Sequence, residues 1–125
     1  MKSKEYKNNA LRTESNDFKA ISSRLDNSKI RLLHAAMGFQ TEAAEFTDML
    51  KKHIFYGKKL DEVNLKEELF DMTWYMAIAL DELGYTFEEG FQTNIDKLKA
   101  RYPEKFTEDN ANNRDLDTER EILEK

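Results

Sequence analysis

Cysteine is absent from this chain, proline occurs once and glycine four times. The first absence excludes disulfides and every thiolate reaction, and suits an intracellular protein. The scarcity of proline and glycine suits a mostly helical domain that carries its charge on outer faces. Charged residues make up 36% of the chain and apolar ones 39%. No apolar run is long enough to cross a bilayer, since the longest apolar-rich segment, Leu69 to Leu80, is too short and carries Asp71. No charged region followed by an apolar one opens the sequence, so no secretory signal is expected and the cytoplasm is the expected location. Charge of one sign is missing too: the net charge of −5 is spread over mixed signs. That excludes the one-sided basic footprint of a nucleic-acid binder. Internal repeats, sustained alternation of apolar and polar residues, and Asn-Gly or Asp-Gly hairpin signals are all lacking.

What is present is helical punctuation within a length of 125 residues, enough for one domain. Residues 1–14 are polar, with Tyr6 and Leu11 as their large apolar residues, and read as an N-terminal arm that is extended unless covered. Phe18, Ile21 and Leu25 recur at helical spacing and predict a short helix ended at Asp26-Asn27-Ser28. Asn27 or Ser28 would cap a long helix running to about His53, and Ile54 to Val63 reads as a connection. Asn64 and Glu67 have the form of a capping box for a second long helix, Leu65 to Leu83, which Gly84 would end in a left-handed cap. Thr86 and Glu89 form a clearer box for a third helix, stopped at Arg101-Tyr102-Pro103 because proline disfavours helix before it. The tail, residues 107–125, is polar, with a short helix over Leu116 to Leu123 and charges read as a solvated face. The fold class expected is all-α: an antiparallel bundle of about four helices spanning residues 15–106.

Two pairs of acids sit three residues apart on the long helices, Glu42 with Glu45 and Glu68 with Asp71, so each pair shares a helix face. The spacing alone is uninformative, because 25 acids in 125 residues produce by chance as many such pairs as the five that occur. Their setting says more. At about 100° per residue, Ala35, Phe39, Phe46 and Met49 fall within roughly 60° of Glu42, placing it inside the apolar stripe with Glu45 at the edge. His34, Gly38 and Lys52 share that edge. On the second helix Leu65, Leu69, Met72, Met76, Leu80 and Leu83 form a stripe flanked by Glu68, and Asp71 falls between Trp74, Tyr75 and Ile78. An unpaired carboxylate there must be protonated, salt-bridged or metal-bound.

The third helix lines up Asn94, Lys97 and Arg101 beside its stripe of Phe87, Phe91, Ile95, Leu98 and Tyr102. Carboxylates collect a hard cation through oxygen. Lys and Arg hold phosphate. Together they describe a metal–polyphosphate site. The plainer reading is a bundle in which Lys97 and Arg101 neutralise the inner acids, with His34 and Trp74 as structural residues.

Taken together, "EAAE" at 42–45, "KKH" at 51–53, "EELFDMTWYMAIAL" at 67–80 and "NIDKLKARYPEKF" at 94–106 resemble the MazG-like all-α nucleoside triphosphate pyrophosphohydrolases. The ExxE and ExxD pairs are separated by 22 residues, and the likeness covers about residues 28–106, with looser echoes in "LRTE" and "NRD". The resemblance implies that Glu42, Glu45, Glu68 and Asp71 bind Mg²⁺, with Mn²⁺ as a substitute. It implies that Lys52, Asn94, Lys97 and Arg101 contact phosphates, and that the chain forms homodimers or homotetramers. Thr41 stands where many members carry a further glutamate, and Phe70 replaces a common glycine.

The implied reaction is NTP + H₂O → NMP + pyrophosphate, with water activated near Mg²⁺ attacking the α-phosphorus. Glu45 is the expected base or shared ligand, with Glu42 beside it. Trp74 and Tyr75 are candidates for stacking on the base. His34, Tyr102 and the arm near Thr13 are further candidates for touching the base. Two alternatives stay open: a phosphoribosyl-ATP pyrophosphatase, and a non-enzymatic helical oligomerisation module. A di-iron bundle is disfavoured because no Glu-x-x-His pair is present.

Overall fold

The computed structural model describes all 125 residues as seven helices without a strand: α1 (Ser3–Leu11), α2 (Phe18–Ser23), α3 (Asn27–Tyr56), α4 (Glu62–Glu82), α5 (Phe87–Arg101), α6 (Glu108–Asn112) and α7 (Leu116–Leu123). The all-α class is as expected. The arm is not: no proline or glycine interrupts Ser3–Leu11, so these residues form α1 rather than an extended segment, and none of them is buried.

Capping by aspartate moves two helix starts from their expected places. The Asp26 carboxylate accepts from the Lys29 N–H at 2.9 Å, so α3 is capped one residue before Asn27. Asp61 accepts from the Val63 and Asn64 N–H groups at 3.1 and 3.2 Å, so α4 starts before the Asn64 box. A carboxylate satisfies the free N–H groups and adds a favourable charge at the positive helix end. The far end of α3 also runs beyond His53, because nothing breaks it until Gly57 takes a left-handed φ of 67°. There the Lys58 N–H reaches the Lys52 carbonyl at 3.2 Å. Gly84 closes α4 in the same way, and the Thr86–Glu89 capping box opens α5 with both reciprocal bonds made.

The two extensive helix–helix contacts are α3 with α4 and α5 with α7. The first pair is an antiparallel hairpin. Arg31 near the start of α3 pairs with Asp81 and Glu82 at the end of α4, at 2.6 and 3.0 Å. Further along, the Tyr75 ring lies directly on the backbone of Gly38, and an added Cβ there would stand 2.1 Å from the ring. The hairpin is the part of the expected bundle formed within one chain; α5 lies on α7 instead of along it.

The core of a single chain is therefore thin. Ala35 is its buried apolar side chain, Leu32, Phe46, Leu65, Met72 and Leu80 are half-buried, and Phe55, Val63, Phe70 and Phe91 are exposed. Trp74, a candidate core residue, is 58% exposed. The chain exposes 10603 Å², whereas a compact protein of its mass exposes about 7,000 Å². No helix is long and apolar enough to cross a membrane.

Candidate active site

Halfway along the hairpin, α3 contributes Glu42 and α4 contributes Glu68 and Asp71, with carboxylate oxygens within 4.8 Å of one another. The antiparallel register creates this meeting, since Glu42 lies one turn beyond Gly38 and Glu68 almost two turns before Tyr75. Burial within the cluster differs from the expectation. Glu68, read as flanking its stripe, is 9% exposed, whereas Asp71, read as enclosed, is exposed. The reason is that α4 has one extensive neighbour within the chain, and Glu68 is on the side turned to it. Glu42 is half-buried and Glu45 is exposed, outside the close group of three.

Glu68 Oε2 is buried without a hydrogen-bond partner. Burial, a hydrogen bond with Glu42, and repulsion from Glu45, Glu42 and Asp71 push the Glu68 carboxyl up to about 7. Such a group near neutral pH holds a proton or attracts a cation. The donor set is all oxygen and all carboxylate, which fits a hard divalent cation and not a soft one.

Beside the acids lies a continuous aromatic group. Tyr75 meets His34 edge-on at 5.7 Å between ring centroids, and Trp74 edge-on at 4.9 Å. Tyr102 is elsewhere, at the end of α5, tilted against Phe106 at 5.5 Å and beside the Arg101 guanidinium. The base-contact candidates thus separate into a trio on the hairpin, a single residue on the α5–α7 pair, and Thr13, whose hydroxyl donates to the Ala10 carbonyl of α1 at 2.8 Å.

The phosphate candidates separate similarly. Lys52 pairs with Asp48 on its own helix. Asn94 is exposed and Lys97 half-buried, and neither pairs with the acids. Arg101 does not neutralise the inner acids, as the plainer reading had it. Its Nε and Nη2 donate to Glu119 of α7, both at 2.7 Å. Arg114 donates to the same carboxylate through Nε and Nη2 at 3.3 and 2.5 Å. Glu119 is 4% exposed and held well below the usual carboxylate range by the two arginines, Arg101 first. Sequence reasoning missed it by treating the tail charges as solvated. Two signals were available: Ile122, three residues on, which gives the tail helix a half-buried side, and the "NRD" echo at 113–115, which contains Arg114.

The family model of the MazG nucleotide pyrophosphohydrolase domain matches residues 33–106. The chain belongs to this family, and its expected activity class is hydrolysis of a nucleotide to release pyrophosphate. Comparison with curated proteins and with solved structures returns no match. The matched span covers most of α3 and all of α4 and α5, so it contains both acid pairs and the Asn94–Lys97–Arg101 row. It ends before Arg114 and Glu119.

Proposed function

We propose that this chain is a Mg²⁺-dependent pyrophosphohydrolase that converts a (d)NTP and water to a (d)NMP and pyrophosphate, with water attacking the α-phosphorus. The observation that carries this reading is the convergence of Glu42, Glu68 and Asp71 around a buried, unpartnered Glu68 oxygen. In the free chain that arrangement is repulsive, and a divalent cation would offset it. Glu42, Glu68 and Asp71 would hold Mg²⁺, or Mn²⁺ in its place. The ion would supply charge neutralisation for the triphosphate and a more acidic water. Glu45, exposed beside the group, would complete the ligand set or accept the proton of the attacking water. The His34–Tyr75–Trp74 surface would stack on or edge the base.

Lys97 and Arg101, with Asn94 and Lys52, would receive the phosphates and stabilise charge on the departing pyrophosphate. Because α5 does not lie along the hairpin of its own chain, the phosphate row is read as meeting the acids of a second copy, in a homodimer or a homotetramer. The large exposed apolar surface supports this arrangement. So does a groove of about 330 Å³ on the hairpin, lined by Leu32, Ala36, Phe39, Met76 and Ala79.

The test is pyrophosphate release from a panel of canonical and modified NTPs and dNTPs, with and without Mg²⁺, for wild type, Glu42→Gln and Asp71→Asn. Mg²⁺-dependent release abolished by both substitutions is the expected result. Release from phosphoribosyl-ATP alone would narrow the substrate to that compound. Absence of release from every nucleotide, by folded oligomer in Mg²⁺, would overturn the reading and favour a non-enzymatic oligomerisation module.

A further inference from the structure

The tail helix α7 lies outside the span matched by the family model, yet it carries the more deeply buried of the chain's two buried carboxylates. All of the acceptor capacity of Glu119 is taken by two guanidinium forks, one from Arg101 on α5 and one from Arg114 just before α7. The two forks differ. Arg101 is bound evenly, at 2.7 Å through both nitrogens, and its side chain is 17% exposed. Arg114 is bound unevenly, at 3.3 and 2.5 Å, and its side chain is 42% exposed.

Each side-on fork uses Nε and one hydrogen of Nη2, leaving three N–H groups of the guanidinium for another partner. A lone Glu119 would also cancel the charge of Arg101. Arg114 offsets that: within the clasp itself, one carboxylate is shared between two guanidinium groups. The Asp115 carboxylate lies beside the clasp and keeps its own negative charge, but its hydrogen bonds cap α7, from the Thr118 N–H at 3.1 Å and hydroxyl at 2.9 Å, and do not engage either guanidinium. The end of Arg101 that Glu119 does not use, beside the Tyr102 side chain, is therefore fixed in orientation, on the same face of α5 as Lys97 one turn earlier.

We propose that Glu119 is a positioning residue for Arg101, holding its guanidinium ready for the polyphosphate of the substrate, and that Arg114 keeps this clasp from quenching the charge it orients. The proposal rests on the reading of Arg101 as a phosphate contact. It makes the tail helix part of the substrate site and not an appendage. A rotatable arginine would have to be ordered with each turnover, whereas a clasped one is ordered on folding.

A double-mutant cycle tests it on the full-length oligomer, using Arg101→Lys, Glu119→Gln and the pair, with Arg114→Ala beside them. The first readout is kcat and KM for the best nucleotide in Mg²⁺. The second is calorimetric binding of pyrophosphate. Glu119→Gln is expected to lower kcat roughly 10- to 100-fold, as loss of an orienting partner does, with a smaller change in KM. The double variant should be no worse than Arg101→Lys alone, because Glu119 acts through Arg101. Arg114→Ala should weaken pyrophosphate binding while leaving the Arg101–Glu119 fork intact, and it keeps the test decisive if Glu119→Gln does not fold. Additive effects in the cycle, or a lowered melting temperature with unchanged kcat and unchanged pyrophosphate binding, would overturn the proposal and leave Glu119 as a strut between α5 and α7. If wild type releases no pyrophosphate from nucleotides, the enzymatic reading fails separately. Pyrophosphate binding that depends on Arg101 and Glu119 would then still support the clasp, and its absence would sink it.

Discussion

Glu68 on α4 and Glu119 on α7 are both buried within one chain, and they are provided for in opposite ways. Glu119 meets two arginines, has every acceptor site engaged and ionises more readily than a free glutamate. Glu68 meets three other acids, leaves an oxygen unpartnered and ionises less readily, near pH 7. The first is complete within the chain. The second is not: within the chain one Glu68 oxygen has no partner. A buried charge satisfied internally reads as structure or positioning, whereas one left unsatisfied among like charges reads as a ligand site.

The largest expected effect separates the two on activity. Glu68→Gln should reduce Mg²⁺-dependent turnover by at least about 100-fold, more than loss of an orienting partner, while the melting temperature of the metal-free protein holds or rises. Lower metal-free stability in that variant would show that the acids support the fold, and the contrast with Glu119 would collapse. Mg²⁺ titration comes next: the ion should raise the melting temperature of wild type by several degrees when well above its dissociation constant, and leave Glu68→Gln unmoved.

A substitution touching neither carboxylate tests the hairpin that holds the cage. Gly38→Ala places a methyl group into the Tyr75 ring, which must shift and disturb its contacts with His34 and Trp74. The expected cost is about 1–3 kcal/mol, measured by denaturant unfolding. No effect would mean that the ring moves freely and the aromatic group is not a fixed base platform.

The smallest effect is in pH dependence, where the two carboxylates have opposite signs. The Glu68 value is raised in the folded state, so its contribution is fully present below the unfolded value of 4.5 and is lost as pH rises through about 7. The Glu119 value is lowered, so its contribution is present above 4.5 and is lost as pH falls below it. Metal-free stability should therefore decline from about pH 4.5 to 7, and Glu68→Gln should flatten that slope. A wild-type profile already flat across this window, measured by thermal unfolding in chelator, would contradict the raised Glu68 value.

Much of this was legible beforehand because it is local. Helix identity follows from periodicity and from the absence of breakers, and the Thr86–Glu89 box, the Gly84 cap and the tail helix at Leu116–Leu123 all depend on residues within one turn. The acids of both helices were also visible, because a carboxylate at i and i+3 beside an apolar stripe is a property of one helix at a time. Aspartate caps displaced two boundaries because Asp26 and Asp61 compete with neighbouring Asn and Ser for the same N–H groups.

By itself, then, the sequence determined an all-α chain of the MazG family with carboxylates facing inward on two helices, since periodicity and capping act over a few residues. Only the tertiary structure decided which acid is buried, that Tyr75 packs on Gly38, and that Arg101 belongs to Glu119 rather than to the acid cage. Those outcomes depend on which helix faces which, and that is set by burial and ion pairing between residues as far apart in sequence as Arg31 and Asp81.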